Sequence, residues 1–347
     1  MKIRRNKKNQ RILFGIISFL LIYYLSAIPR ELILFPATQK PEWRLSTDNA
    51  QFPGRSGHTC IVFNNRLWVI GGWNGKNGMN DVWSSSDGIK WDCATQKAPF
   101  TPRAGHSSTV FNGRIWVIGG LCFDRNHNIT DLNDIWCSKN GSDWECITPH
   151  ADFSSRGGHA SIVFKDRIWV IGGIACGGDV WYSCNGRRWH CAQKNAAFNS
   201  RGGHALLVFN NRMWVIGGMY VDEENSYHSM SDVWSSENGE DWDQVVEETS
   251  FFAGGGNASV YYDNRMWVMG GFRKSGTVYA SSDGANWNLI EKAASFGERV
   301  THSCVVFNNR IWIIGGYDGS GHMNDVWHSE ISPGFRVTAD NNLDIQL

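Results

Sequence analysis

Six stretches of the chain share one hydrophobic pattern, in which an arginine is followed by four apolar residues and two glycines. The stretches are RLWVIGG at Arg66, RIWVIGG at Arg114 and Arg167, RMWVIGG at Arg212, RMWVMGG at Arg265 and RIWIIGG at Arg310. Their last glycines lie 45–53 residues apart, which indicates a repeated structural unit. A short apolar run bounded by turn signals predicts a strand that is buried on both faces.

Each unit contains four strand-like runs, which we call a to d. In the second unit they are HSSTVF, RIWVIGG, DIWCS and DWECI. An NG turn, a variable loop and a glycine-containing turn separate them, which predicts a four-stranded antiparallel sheet. Because strand b lacks polar and apolar alternation, we expect Trp68 and Ile70 to pack on one neighbouring sheet. Leu67 and Val69 would pack on the other, and the double glycine would allow close backbone approach.

The repeated unit resembles the kelch repeat. The matching features are R-x-G-H before strand a, the double glycine after strand b and spaced tryptophans such as Trp83 and Trp91, and they cover residues 43–330. The resemblance implies an all-β fold, a six-bladed β-propeller of four-stranded antiparallel blades. The c–d turns, such as SSSDGIKW, also resemble the Asp-box turn of other propellers, with one residue missing.

The N-terminal strand is expected to close the ring. The tryptophan of strand d precedes the phenylalanine of the next unit by nine residues, and Trp43 precedes Phe52 by the same nine. Trp43 therefore belongs to a strand d without its own unit, whereas the last unit ends near Trp327 without a strand d. Joining the two would remove an open sheet edge. The C-terminal tail competes for this place through Phe335.

The N-terminal region precedes the repeats. Six basic residues come before Ile12, and the seventeen residues from Ile12 to Ile28 carry no charge. This pattern predicts an N-terminal transmembrane helix, an uncleaved signal anchor with the propeller outside the cytoplasm. A cleaved signal peptide, leaving a secreted or periplasmic protein, and a buried soluble helix are the alternatives. The expected domains are the basic N-terminus and anchor at 1–29, a linker at 30–42, the propeller at 43–330 and a tail at 331–347.

The charge balance of the chain bears on whether the protein binds nucleic acid. The chain has 33 basic and 33 acidic residues, but 27 basic and 33 acidic ones follow the N-terminal basic cluster. Without a basic patch, the propeller is not expected to bind nucleic acid, and we expect a monomer.

Nine cysteines without a CxxC motif indicate no zinc site. Three pairs are conceivable, while the alternative is that most cysteines are small buried apolar residues. The pairs are Cys122 with Cys176, Cys137 with Cys146, and Cys60 with Cys304.

One face of the propeller should gather the charged residues of the repeat, because strands a and c start there and strand b ends there. The arginines are Arg55, Arg103, Arg156, Arg201 and Arg299; the histidines are His58, His106, His159, His204 and His302; the aspartates are Asp81, Asp134, Asp179, Asp232 and Asp325. As a functional site, the guanidinium groups would bind an anion such as a carboxylate, an acidic peptide or a sugar acid.

The alternative is a structural set in which each arginine pairs with an aspartate. The fifth unit favours this interpretation, because it has Gly254, Asn257 and Thr277 at the three positions, so that all of them change together. The histidines are spread around a channel by the six-fold arrangement, so we do not expect them to bind a metal.

The b–c loops are the second candidate site. The long loops of units 2 and 4 flank the short loop of unit 3, and loops on a rigid scaffold commonly carry binding residues. DRNHN, in unit 2, begins like a calcium-binding loop but lacks its glycine and glutamate. Solvated variable loops are the alternative. The candidate residues are Asp124, His127, Asp222, Tyr227, His228 and, in unit 5, Arg273.

These features predict a non-enzymatic module that binds a protein or a glycan at the channel mouth, without a cofactor or metal. The alternative is an enzyme, because kelch-like propellers include sialic acid mutarotases and copper radical oxidases. A mutarotase needs only an acid and a base beside the sugar. An oxidase would need a tyrosine and histidine copper site, for which Tyr220, Tyr227 and His228 are the candidates.

Overall fold

The computed structural model describes residues 40–124, 128–174, 176–224, 226–249, 254–272 and 276–330. The strands in these ranges are β1 (Glu42–Thr47), β2 (Thr59–Phe63), β3 (Arg66–Trp73), β4 (Gly78–Ser85), β5 (Asp92–Thr95), β6 (Ser107–Phe111), β7 (Arg114–Phe123), β8 (Ile129–Ser138), β9 (Trp144–Thr148), β10 (Ala160–Phe164), β11 (Arg167–Ile171), β12 (Val180–Ser183), β13 (His190–Gln193), β14 (Ala205–Phe209), β15 (Arg212–Val221), β16 (Tyr227–Ser236), β17 (Asp243–Val246), β18 (Ala258–Tyr262), β19 (Arg265–Met269), β20 (Val278–Ser281), β21 (Asn288–Glu291), β22 (Ser303–Phe307), β23 (Arg310–Tyr317) and β24 (His322–Glu330).

The strands form six four-stranded antiparallel sheets. Five sheets take four consecutive strands, from β2–β5 for blade 1 to β18–β21 for blade 5, and the sixth has the order β1-β24-β23-β22. The first strand of each blade contacts the first strand of the next, and β22 contacts β2, so the sheets form a closed ring. The expected all-β six-bladed propeller is confirmed.

Strand b is buried on both faces because each blade packs between two others. Trp68 and Ile70 of β3 share a core cluster with residues of blade 2, such as Ile115. Leu67 and Val69 share a different cluster with Ile314 and other residues of blade 6. The expected division of strand b between two neighbouring sheets is therefore confirmed.

The N-terminal strand forms the outer strand of the last blade. β1 pairs with β24, and Trp43 lies opposite Ser329. The Trp43 ring meets Phe296 of the preceding d–a loop edge to face, with ring centroids 4.8 Å apart, inside the core between blades 5 and 6. The first strand thus fills the place that the spacing of Trp43 and Phe52 predicts. The competing Phe335 and the apolar segment 12–28 lie outside the described residues, among which no helix is long and apolar enough to cross a membrane.

The double glycine is required by the next blade. Gly71 has a φ of +56°, and a Cβ there would lie 3.0 Å from both the carbonyl oxygen of Arg103 and Cε1 of His106. Gly72 has a φ of +111°, and a Cβ would approach the His58 side chain of its own blade at 2.8 Å. Only glycine tolerates both the backbone conformation and this close approach.

The c–d turns join neighbouring blades at the opposite face. The Ser85 hydroxyl oxygen accepts a hydrogen bond from the Gly88 amide at 2.8 Å, and Asp87 Oδ1 accepts one from the Ile89 amide at 2.8 Å. A Cβ on Gly88 would collide with the ring of Trp312 in the preceding blade. The Asp-box-like turn is therefore a packing element between blades.

All nine cysteines are free. Cys146 lies opposite Trp136 rather than Cys137. Cys60 packs between blades 6 and 1, whereas Cys304 packs against the core between blades 5 and 6. The alternative, in which most cysteines are buried, is wrong: only Cys60 and Cys137 are buried, and four of the others are exposed.

Trp43→Ala should lower the free energy of unfolding by about 3–5 kcal/mol, because it empties the core that closes the ring. The control is Leu45→Ala in the same strand, where the side chain is 47% exposed. That change should cost less than about 0.5 kcal/mol. Urea unfolding measures both values; equal effects would contradict the closing role of Trp43.

Candidate functional site

The arginine of the R-x-G-H motif is buried and bonded within its own blade. Arg55 is 0% exposed and donates from Nη1 and Nη2 to the two carboxylate oxygens of Asp81 at 2.9 and 2.8 Å. Its Nη1 also donates to the Gly71 carbonyl oxygen at 2.8 Å, and its Nε donates to the Pro53 carbonyl oxygen at 3.0 Å. The guanidinium carbon lies 5.3 Å from the centre of the Phe52 ring.

The same arrangement occurs in four other blades. The tryptophan two residues after each aspartate completes it, as Trp83 Nε1 donates to Asp81 Oδ2 at 2.7 Å. This geometry favours the structural interpretation, because the guanidinium groups are directed at internal acceptors and away from solvent. The other pairs are Arg103 with Asp134, Arg156 with Asp179, Arg201 with Asp232, and Arg299 with Asp325.

Blade 5 lacks this arrangement, because four of its positions carry other residues. Besides Gly254, Asn257 and Thr277, it has Tyr279 where the other blades have the tryptophan that donates to the aspartate. This fourth change was not among the residues predicted from the sequence, although the D-x-W pattern of strand c carries the signal. The joint loss of the four residues agrees with a single bonded set.

The histidines form contacts between blades. The Nε2 atom of His106 lies 3.1 Å from Thr59 Oγ1 of blade 1, and His159 Nε2 lies 2.9 Å from Ser107 Oγ of blade 2. Burial, with a smaller effect of the neighbouring arginine, lowers the pKa of His106 to about 3. The pKa values of His204 and His302 are also lowered to about 3, and those of His58 and His159 are well below normal.

A ring of backbone hydrogen bonds surrounds the channel mouth on this face. The third residue of each R-x-G-H motif donates its N–H to the carbonyl of its counterpart in the preceding blade, as Gly105 does to Gly57 at 2.8 Å, and Gly57 does to Thr301 at 2.9 Å. Six such bonds close the circle. The ring residues are Gly57, Gly105, Gly158, Gly203, Gly256 and Thr301, all with positive φ. Beyond the ring, a cavity of about 460 Å³ is lined by the first strands of all six blades.

A large apolar residue follows the double glycine in every blade, and these six side chains form what we call the apolar collar. Leu121 lies over two glycines of the channel mouth, since a Cβ on Gly105 would lie 3.6 Å from it and one on Gly157 would collide with it. Ile174 lies over Gly158 in the same way, at 3.3 Å. The sequence analysis missed this set, although its position is regular. The collar consists of Trp73, Leu121, Ile174, Met219, Phe272 and Tyr317.

The hairpins of blades 2 and 4 are longer than the loop of blade 3 between them. β7, β8, β15 and β16 have ten residues each, whereas β11 and β12 have five and four. Asp124 closes the blade 2 hairpin, accepting bonds from the Asn128 amide at 2.8 Å and Nδ2 at 2.7 Å. Its carboxylate therefore serves the turn. His127 and Arg273 lie outside the described residues.

The blade 4 hairpin contains a compact polar cluster. His228 Nε2 lies 2.6 Å from Asp222 Oδ2, and the His228 ring stacks on Tyr220 with centroids 4.9 Å apart. The hydrogen bond from His228 lowers the pKa of Asp222. Tyr227 is 70% exposed. Among the described residues, no three His, Cys, Asp or Glu side chains are placed to hold a metal ion.

Asp131 is a carboxylate beside the collar in blade 2. It lies opposite Leu121 in the hairpin and is more exposed than Leu121. Partial burial raises the pKa of Asp131. Its place in the site comes from the hairpin register, which the sequence analysis did not determine.

Comparisons with known proteins agree with this architecture. The model of the KLHDC2/KLHL20/DRC7 Kelch-repeats domain matches residues 30–173, and that of the DUF6242 beta propeller domain matches residues 211–336. No curated protein matches the chain. The solved structure titled "Structure of YjhT" is 15% identical, with a TM-score of 0.64 over 82% of this chain and 96% of that one. At this identity the likeness concerns the fold.

Asp134→Thr should lower the free energy of unfolding by about 3–5 kcal/mol, because Arg103 would remain buried without its carboxylate. Threonine is the residue of blade 5 at this position. Arg103→Met combined with Asp134→Thr should recover part of the loss, since no unpaired buried charge remains. Urea unfolding of both single variants and the double variant tests this; additive losses would contradict the pairing.

The buried histidines should make the propeller acid-labile. A histidine of the unfolded chain binds a proton near pH 6.5, whereas the folded one stays neutral down to about pH 3. Stability is therefore fully present above pH 6.5 and is lost as the pH falls, by about 1.4 kcal/mol per histidine per pH unit. Urea unfolding at pH 7.5 and 5.5 measures the loss. His106→Asn introduces the residue that blade 5 has at this position, Asn257. In this variant the loss of unfolding free energy between pH 7.5 and 5.5 should be smaller by about 1.4 kcal/mol. An unchanged loss would contradict this explanation.

Proposed function

Since the chain is a kelch-repeat β-propeller, we propose that it is a recognition module that binds a protein or a glycan through the face of the b–c loops. The observation that supports this most directly is that the charged residues of the repeat on that face are bonded internally, whereas other residues of the face are exposed. The repeated arginines and aspartates are bonded to one another, and the histidines are buried between blades. The side chains left exposed on this face belong to the b–c loops, which differ between blades, and to the residue after each double glycine.

The two long hairpins carry the most distinctive exposed side chains. Tyr227 is 70% exposed in blade 4 and Ile129 is 60% exposed in blade 2, on either side of the short blade 3 loop. Exposed aromatic and apolar side chains on a rigid scaffold are typical of binding surfaces. Asp222 and His228 belong to the same hairpin and would supply polar contacts.

The proposed setting is outside the cytoplasm, with residues 12–28 as a transmembrane anchor or a cleaved signal peptide. Strand β1 enters the propeller at Glu42, beside Glu330, where β24 ends. This end of the blades lies opposite the b–c loops that form the proposed binding face.

A sugar-acid mutarotase is the second candidate function. The specific observation in its favour is the close pair of Asp222 and His228 on the binding face, which offers an acid and a base for proton transfer at a sugar ring. Arg156 and its equivalents would not bind the sugar carboxylate in this geometry, because their guanidinium groups are bonded internally.

Binding should be lost when the exposed tyrosines of blade 4 are removed. The full-length chain, its Tyr220→Ala/Tyr227→Ala variant and a Tyr261→Ala control are applied to glycan and peptide arrays. Tyr261 is 45% exposed near an a–b turn at the other end of the channel. We expect ligands of the wild-type chain to bind at least about tenfold more weakly to the double variant and equally to the control.

The same proteins are tested for acceleration of N-acetylneuraminic acid anomerisation by NMR. Acceleration that is lost in Asp222→Asn would replace the binding function by the mutarotase function. Array ligands that bind the double variant and the wild-type chain equally would contradict the assignment of the face.

A further inference from the structure

We infer that the partner is a protein segment that presents an apolar side chain next to a lysine or arginine, with the apolar group in the collar and the positive charge at Asp131. This inference rests on the proposed recognition function and names its ligand class. It depends on three features of the channel mouth: the collar, the bonded ring beneath it, and Asp131, the one permanently charged residue among the cross-strand partners described for four of the collar residues.

The collar is apolar in every blade even though it lies at the surface. Phe272 is 44% exposed, and the other five side chains are partly exposed. The rest of the b–c loops differ in length and polarity, so the repetition of a large apolar residue at one position points to a shared role. Six partly exposed apolar groups around a single opening are a feature of the kind that marks interaction sites.

The floor of the collar disfavours a sugar. Every N–H of the glycine ring already donates to a carbonyl of the preceding blade, so the floor has no free N–H for a hydroxyl group. A sugar oxygen placed there would lose the hydrogen bonds that it accepts from water without a ring N–H to replace them, which costs free energy. An apolar side chain loses no hydrogen bond on entering and gains the burial of its surface.

Asp131 supplies the charge complementarity. It lies directly opposite Leu121 in the antiparallel hairpin, so the two side chains project from the same face of the sheet. The corresponding partners of Trp73, Met219 and Tyr317 are Gly78, Ser229 and His322, none of which carries a permanent charge. The Asp131 carboxylate is more exposed than Leu121 and can attract a cation that approaches with an apolar neighbour.

A phage-displayed library of short random peptides tests the inference on the full-length chain. We expect the selected peptides to contain an apolar residue adjacent to lysine or arginine. They should bind Met219→Ser at least about tenfold more weakly and Asp131→Asn about fivefold more weakly, as befits a partly exposed charge pair. Ile89→Ser, at a side chain 50% exposed in a c–d turn of the opposite face, is the matched control and should bind normally. Urea unfolding verifies that all variants fold.

Other results would overturn either the inference alone or the proposed function as well. Failure to select any such peptide, selection of acidic peptides, or equal binding by Met219→Ser would overturn the inference. A glycan that binds the wild-type chain and is lost in the Tyr220→Ala/Tyr227→Ala variant would also overturn it while leaving the recognition function intact. If neither peptides nor glycans bind this face, the proposed function fails as well.

Discussion

The propeller depends on the close contact between each double glycine and the next blade. In five blades the second glycine donates its N–H to the carbonyl of the arginine in the next blade, as Gly72 does to Arg103 at 2.8 Å. This bond places the backbone that carries the R-x-G-H motif. The same short segment then directs the Arg103 side chain to Asp134, the next glycine into the channel ring and His106 against Gly71. One backbone contact thus organises the ion pair, the ring and the seam between blades.

The charged residues of the repeat are therefore used within the scaffold. A buried ion pair adds little net stability over a well-packed apolar pair, but a buried charge that has lost its partner destabilises the fold. The arginine, aspartate and tryptophan must consequently occur together, and in blade 5 they are absent together. The proposed binding is therefore assigned to residues outside this set, which are the hairpins of blades 2 and 4 and the apolar side chains after the double glycines. A rigid ring that presents variable loops is well suited to recognition.

Much of the fold could be predicted from the sequence because the repeat is regular. The six double glycines indicate the number of blades, the apolar run around Trp68 indicates burial on both faces, and the place of Trp43 indicates the closing strand. The candidate site was less predictable. Conserving an arginine in five units is compatible with ligand binding and with internal pairing, and only the burial of Arg55 against Asp81 separates the two. The cysteines show the same limit, since their exposure depends on which face of a strand they occupy.

The sequence by itself determined the blade count, the strand order and the division of each blade between two cores, because these follow from local periodicity and turn residues repeated six times. Tertiary structure alone decided which polar groups are hydrogen-bonded inside the propeller and which lie around the channel mouth. The reason is geometric: the glycine ring arises between blades, from residues about fifty positions apart whose proximity no local pattern records, and Asp131 lies beside Leu121 only through the register of the blade 2 hairpin.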